Sequence, residues 1–533
     1  MMDLLIKEAT VVDGTGRPRF VADVAVENGR IADVVERARQ PEGIADADAR
    51  TTIRAAGRLL TPGFVDVHGH SDMNVLANPY AESKLRQGIT TEVVGNCGFS
   101  AFPLRGRFLE DERESNTDIG VEITWETVEG YFDAVSKARP AINLATFVGH
   151  CNIRGSVMGF DDRPATADEM RAMEREVAIA MEAGALGLST GLIYSPGFFA
   201  PPEEVVALQQ AAAGGIYASH VRSEGDQLLE AADEFMDVVR AAGCQGQFSH
   251  LKASGPRNWG KVERVLEQIE SVNAAGGRVR FDKYPYVASS TELASLLPRW
   301  VRDGGRDSAL ERLADPKLRD RIVREAAEIN EGKDGWDSVL ICSAGSEEYR
   351  PHHGRSIGEI ARILDAAPGE VFIDLLLKSR MHTSIANFTM NQDETDRVLL
   401  HPLGMVCTDA GCRAPYGALH HDFPHPRAYG SFPRFFRQYV KERPLLSLEE
   451  AVAKVTALPC DTFRLRNRGR VEAGFHADLL LIDWPKFTDR ADFADPHQYC
   501  DGIDAIVVNG TLTTMDGQHT GDRGGRMLGL DRD

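Results

Sequence analysis

Short apolar runs bounded by glycine or proline recur through the middle of the chain, with amphipathic stretches between them. Phe64 to Val67 follows Pro62-Gly63, and Ile89 to Val94 stops at Gly95. Ile142 to Val148, Leu186 to Thr190, Gly215 to Val221, Gln245 to His250, Arg278 to Tyr284 and Gly404 to Thr408 continue the series. Runs this short and bounded this way predict buried strands. Between them, Thr166 to Ala183 opens on Thr166-Ala167-Asp168-Glu169, the pattern of a capping box, and keeps a helical period. Asp226 to Ala242 and Lys261 to Ala275 do the same. Eight strands with helices between them predict an α/β protein built on a TIM-like (β/α)8 barrel rather than an open sheet. No glycine-rich dinucleotide fingerprint follows the first strand.

The two ends of the chain read differently. Leu4-Leu5-Ile6, Thr10-Val11-Val12, Asp23 to Val26 and Arg30 to Val35 are strand-like, with a turn at Asp13-Gly14 and a hairpin signal at Asn28-Gly29. Far away, Ala477 to Asp483 and Ile506 to Val508 repeat the pattern, with Asn509-Gly510 as the turn. Each piece alone is too small for a good core. The expected organisation is therefore a small β-domain from residues 1–60 and 468–533, around a barrel over 61–467. The connection between the seventh and eighth strands is too long for an ordinary loop. Residues about 286–350, strongly charged as in Arg299 to Arg324, are expected to form a mostly helical lid over the barrel mouth.

Charge and composition narrow the function. The 533 residues carry 80 acidic against 60 basic side chains, a net charge of −20, which argues against a nucleic-acid or anionic-membrane partner. No apolar run is long enough to span a bilayer. Met1-Met2-Asp3 begins with an early acid, so no cleaved export signal is expected. The eight cysteines, Cys97, Cys151, Cys244, Cys342, Cys407, Cys412, Cys460 and Cys500, show no CxxC pair, which predicts a reducing cytoplasm.

Chemistry collects at the strand ends. The first strand runs into His68-Gly69-His70; in extended chain, residues two apart share a face, so both imidazoles can reach one metal. The second ends in Gly95-Asn96-Cys97-Gly98, the fifth in His220, the sixth in His250 and the eighth in Asp409. Six metal-capable groups on one rim of a barrel are hard to assign to packing, and imidazoles with a thiolate suit zinc. His150 also ends a strand, but nothing pairs with it, and a structural role is expected.

With these residues in place, the chain resembles a known family. The segments PGFVDVHGHSD, QGITTEVVGNCG, STGLIYSPG, SHVRSEGD, SHLKASGPRNWG, DKYPYVASST and HPRAYGSFPR run in order over nearly the whole chain. They are similar to successive motifs of the D-aminoacylases, the N-acyl-D-amino-acid deacylases of the amidohydrolase superfamily. The resemblance implies that Cys97, His220 and His250 hold a tight zinc ion. It implies a second site, weak or partly occupied, from His68, His70, Cys97 and Asp409. It makes Asp409 the general base and later the general acid. It places Arg427 and Tyr284 on the substrate α-carboxylate, and Ser290 or its neighbour Ser289, Lys252 and Tyr194 in the pocket. A small N-acyl amino acid is the implied partner; the oligomeric state is left open.

Two departures stand out. Around the aspartate this chain reads Cys407-Thr408-Asp409-Ala410-Gly411 where the family commonly has GSDG. The segment from Cys412 to His421 is longer than usual and is expected to add Arg413, Tyr416, His420 and His421 near the mouth. The leading expectation is a zinc hydrolase of N-acyl-D-amino acids. The alternatives are a hydrolase of cyclic amides or other C–N bonds, and a zinc-binding interaction protein without activity.

Overall fold

The computed structural model describes residues 2–330 and 334–531; residues 1, 331–333 and 532–533, parts of the expected terminal domain and lid, lie outside the described residues. Eight strands make the centre: β1 (Phe64–Asp66), β2 (Ile89–Val94), β3 (Asn143–Thr146, resumed at Val148–Gly149), β4 (Gly187–Gly191), β5 (Ile216–His220), β6 (Gln245–Phe248), β7 (Val279–Lys283) and β8 (Gly404–Val406). Every neighbouring pair from β1 to β8 is parallel. Past their ends, β8 and β1 meet: the Asp409 amide donates to His68 O (2.8 Å) and the His70 amide to Ala410 O (3.1 Å), closing the ring. The strands contribute Val65, Val93, Ala145, Ile216, Ala218 and Met405 to one buried cluster.

Several strands stop short of the sequence expectation. His250, Tyr284 and Thr408 lie beyond β6, β7 and β8 rather than inside them. The chain has left the sheet because it must turn: His250 has a positive φ of 35° and Asp409 one of 49°. Two helices follow β3: His150–Met158, so that His150 opens a helix rather than ending the strand, and Ala167–Ala183, with both hydrogen bonds of the Thr166–Glu169 capping box and Gly184 in the left-handed region at its end. The helix expected from Asp226 starts at Leu228, because Asp226 is held in the preceding loop by Arg257 and Lys261.

The excursion between β7 and β8 differs most from expectation. It reaches well past residue 350 and is not only helical. Ser289–Glu292 pairs antiparallel with Ser384–Asn387, which pairs in turn with Val339–Ser343. Helices Ile357–Leu364 and Pro368–Lys378 share a core with this sheet, through Ile341, Ile357, Phe372, Leu376 and Ile385. Their apolar faces need that sheet, so the unit cannot end near residue 350.

A nine-stranded sheet draws on both ends of the chain. Leu59–Pro62 pairs antiparallel with Leu479–Ile482 on one side and parallel with Met2–Val11 on the other. The runs at Leu4 and Thr10 are one strand, bent by a bulge at Glu8 (φ +59°). Asn28-Gly29 and Asn509-Gly510 each have two successive positive φ values, the geometry of a tight type I′ hairpin. Phe64 joins this end of the molecule to the barrel. Its ring is fully buried and lies 5.8 Å from Phe432, 5.2 Å from Phe436 and 6.4 Å from Phe487. Among the described residues, no helix is long and apolar enough to cross a membrane.

Candidate active site

The strand ends converge. His68, His70, Cys97 and Asp409 form one group of potential metal ligands, and Cys97, His220 and His250 a second; within each, all donor atoms lie within 4.8 Å of one another. Cys97 belongs to both. Its Sγ is 3.2 Å from His68 Nε2 and 3.5 Å from His250 Nε2. Asp409 Oδ1 is 3.1 Å from His70 Nε2 and 3.5 Å from His68 Nε2.

Local backbone aims these groups. Cys97, His250 and Asp409 all have positive φ, which non-glycine residues hold only where the surroundings impose it, and such residues gather at functional sites. Gly69 is required between the two histidines, since a Cβ there would overlap the Glu92 carboxylate.

The electrostatics favour a cation. Burial opposes ionisation of the Cys97 thiol, but the charges of His68 and His250 overcome it and hold its pKa well below the usual range. His220 is fully enclosed, and burial lowers its pKa, leaving a neutral imidazole. Both of its ring nitrogens are buried without a hydrogen-bond partner. A thiolate beside a neutral His220 imidazole with an unused lone pair is a donor combination that fits zinc.

Two carboxylates behind the histidines escaped the sequence reading. Glu224 Oε1 lies 3.0 Å from His250 Nδ1 and accepts a hydrogen bond from Lys252. Asp282 Oδ1 lies 3.3 Å from His68 Nδ1 and accepts the His250 amide at 2.8 Å. Ligand histidines commonly hand their second nitrogen to such a group. The available signal was an acid close to a candidate ligand histidine in Ser-His-Val-Arg-Ser-Glu and one opening Asp-Lys-Tyr-Pro-Tyr.

A cavity of about 620 Å³ opens above the cluster. Lys252, Tyr284, Ser290, Tyr194 and Arg427 all line it. Arg427 donates to Asp409 Oδ2 (2.7 Å) and to the carbonyl of Ser290 (3.1 Å), and its guanidinium sits 4.7 Å over the Tyr284 ring. Arg427 Nε and the Tyr284 hydroxyl are buried without partners. Tyr194 bonds Thr291 and meets His220 edge-on at 5.1 Å. From the 412–421 segment only Arg413 reaches the cavity wall. Tyr416 and His420 face elsewhere, because Tyr416 bonds Glu82 and His420 packs 4.8 Å from His497; His421 is exposed and also stays off the wall. The excursion also supplies Arg302, Arg306, Met381 and His382 to the cavity lining. His150 is tied to Glu204 at 2.9 Å, outside both ligand groups.

Comparison with known proteins adds a family. A sequence profile described as the amidohydrolase family matches residues 51–514. The chain is 36% identical over 516 residues to N-acyl-D-glutamate deacylase of Alcaligenes xylosoxydans xylosoxydans, covering 96% of this chain and 93% of that protein. A crystal structure of N-acyl-D-glutamate deacylase from Bordetella bronchiseptica, complexed with zinc and a phosphonate mimic of the tetrahedral intermediate, aligns with a TM-score of 0.82 at 33% identity, covering 99% of each chain. A D-aminoacylase structure concerned with a binuclear metal centre, its one-metal activation and second-metal attenuation, aligns at 0.81 and 32% identity, covering 99% of this chain and 100% of that one.

Proposed function

This chain belongs to the amidohydrolase family, and from that premise we propose that it hydrolyses the amide bond of N-acyl-D-amino acids, releasing a carboxylate and a free D-amino acid. The observation that carries this is the shared thiolate: Cys97 joins two groups of buried donors directly beside the Asp409 carboxylate. Cys97, His220 and His250 would hold a tight zinc ion, and His68, His70, Cys97 and Asp409 a second that is weak or partly occupied. Zinc so held supplies a Lewis acid that polarises the amide carbonyl and lowers the pKa of water towards neutrality.

The protein's own groups do the rest. Asp409 accepts the proton of the attacking water and returns it to the departing nitrogen, without which the amine is a poor leaving group. Arg427 and Tyr284 bind the α-carboxylate. Their buried donors without partners, Arg427 Nε and the Tyr284 hydroxyl, support this, since an unpaired buried donor costs free energy that an anion relieves. Ser290, Lys252 and Tyr194 complete the pocket, and the excursion over residues 289–387 forms its lid. Eight free cysteines suit the cytoplasm.

The cyclic-amide and non-catalytic alternatives are not favoured, because relatives more than 30% identical over nearly the whole chain are named N-acyl-D-glutamate and N-acyl-D-aspartate deacylases. The test is turnover of paired N-acyl D- and L-amino acids by zinc-quantified protein. Hydrolysis confined to the D-forms is expected; preference for L-forms, or no turnover of any pair with zinc fully bound, overturns the reading.

A further inference from the structure

Beneath the ligand cluster lies a buried ionic group that the proton-transfer scheme leaves unused. Lys84 is fully buried, as are Asp66, Glu92 and Thr408. Lys84 Nζ donates to Asp66 Oδ2 (2.8 Å), to Thr408 Oγ1 (2.6 Å) and to the carbonyl of Ala410 (2.7 Å), with Glu92 Oε1 at 3.0 Å. Thr408 donates its amide to Asp66 Oδ1 (2.9 Å) and its hydroxyl to Asp66 Oδ2 (2.6 Å). The residues on both sides of Asp409 are thus tied, through one ammonium and one carboxylate, to β1 and to the helical turn Glu82–Leu85. Asp409 itself is fixed to the same region by its amide on His68 O.

This arrangement does more than close the barrel. Asp409 holds a left-handed backbone at φ +49°, a conformation that persists only where neighbouring contacts over-determine it. Here those contacts come from Thr408 and Ala410, and both run to Lys84. A buried ammonium is expensive unless fully hydrogen-bonded; here Asp66 and Glu92 balance its charge, and the other two partners are the residues that flank the proposed base. We propose that Lys84, Asp66 and Thr408 are positioning residues that hold the Asp409 carboxylate where it can move the proton. The inference rests on the reading of Asp409 as that proton carrier.

Thr408 offers the least disruptive test, since Thr408→Val keeps the shape and removes only the hydroxyl. In zinc-loaded full-length protein, Thr408→Val should lower kcat by about 10- to 100-fold, as expected for a displaced catalytic group, with KM nearly unchanged. Zinc content should stay at the wild-type level. Thr408→Ser, which keeps the hydroxyl, should restore most of kcat. Added to Asp409→Asn, Thr408→Val should cause no further loss, because its effect passes through Asp409. If Thr408→Val does not fold, Thr408→Ala supplies the same comparison. A wild-type kcat in Thr408→Val, or a Thr408→Ser variant as slow as the valine one, overturns the inference. So does an equal loss on top of Asp409→Asn. Asp409→Asn alone should cost at least the ~10²–10⁴-fold of lost acid–base catalysis. If it turns over normally, the reading of Asp409 fails, which is distinct from an inactive Asp409→Asn beside an active Thr408→Val.

Discussion

Glu224→Gln isolates the contribution of a carboxylate that touches no proposed metal position. Burial opposes its charge, but Lys252, His220 and His250 outweigh that and hold its pKa well below the usual carboxylate range, so it is ionised at neutral pH. Its Oε1 serves two donors, Lys252 Nζ and His250 Nδ1. Glutamine has nearly the same volume but no charge: its carbonyl oxygen can take the Oε1 place, but both bonds lose their anionic acceptor and the Lys252 ammonium its counter-charge. The charge assistance lost at this largely buried site is about 1.5–3 kcal/mol. His250 then loses the anion that fixes its ring and keeps Nε2 available as a donor atom. The corresponding fall in zinc affinity is about 10- to 100-fold, the range found when the outer partner of a ligand histidine is removed. Competition with a chelator of known affinity measures it directly, and turnover at saturating zinc shows whether activity recovers. A zinc affinity within about twofold of wild type, well under the 1.4 kcal/mol that a tenfold change represents, would refute the assignment of Glu224 as the partner of a ligand histidine.

Further outcomes follow from the same geometry. Cys97→Ala removes a donor common to both groups, so bound zinc and activity should disappear together; full zinc by elemental analysis with normal rates would exclude Cys97 as a ligand. Arg427→Ala should lower kcat/KM for D-substrates by the tens- to thousands-fold that correspond to about 2–5 kcal/mol for a lost buried charge contact. It should also erode the D/L ratio with zinc unchanged, and retention of rate and ratio would remove Arg427 from substrate binding. Phe64→Ala should destabilise by about 3–5 kcal/mol, because Phe64 is completely enclosed among Phe432, Phe436 and Phe487; a denaturant-unfolding loss under about 1 kcal/mol would show that β1 does not depend on this contact.

The barrel strands were legible where a short apolar run is stopped by glycine or by a polar residue that then enters the site, as Phe64–Val67 is by His68 and Ile89–Val94 by Gly95. His220 and Asp409 sit where such runs end, so their meeting at one rim follows from the order of strands. The helix from Ala167 was equally plain, since its cap and its glycine stop are local features. The excursion was not, because Ser289–Glu292 finds its partner Ser384–Asn387 almost a hundred residues later, and neither segment is apolar enough to mark a strand alone. Glu224 and Asp282 were missed for a related reason: an acid near a histidine looks like solvated charge until the fold buries both. Lys84 is the extreme case, since its partners come from β1, from β2 and from the turn beyond β8, and only tertiary structure brings them together.

The sheet that unites the two ends of the chain also sets a timetable. Leu60 stands opposite Leu481, so its strand lacks one neighbour until about 420 further residues have been made. At synthesis rates of roughly 5–20 residues per second, that wait is on the order of 20–80 seconds. Throughout it, Leu59–Pro62 presents an open, apolar edge on the ribosome, the kind of edge that recruits other strands. Met2–Val11, Phe20–Glu27 and Arg30–Glu36 can pair early and shield one side of it. The other side stays open until Leu479–Ile482 arrives, so slowing elongation late in the message should favour aggregation of the nascent chain far more than slowing it early.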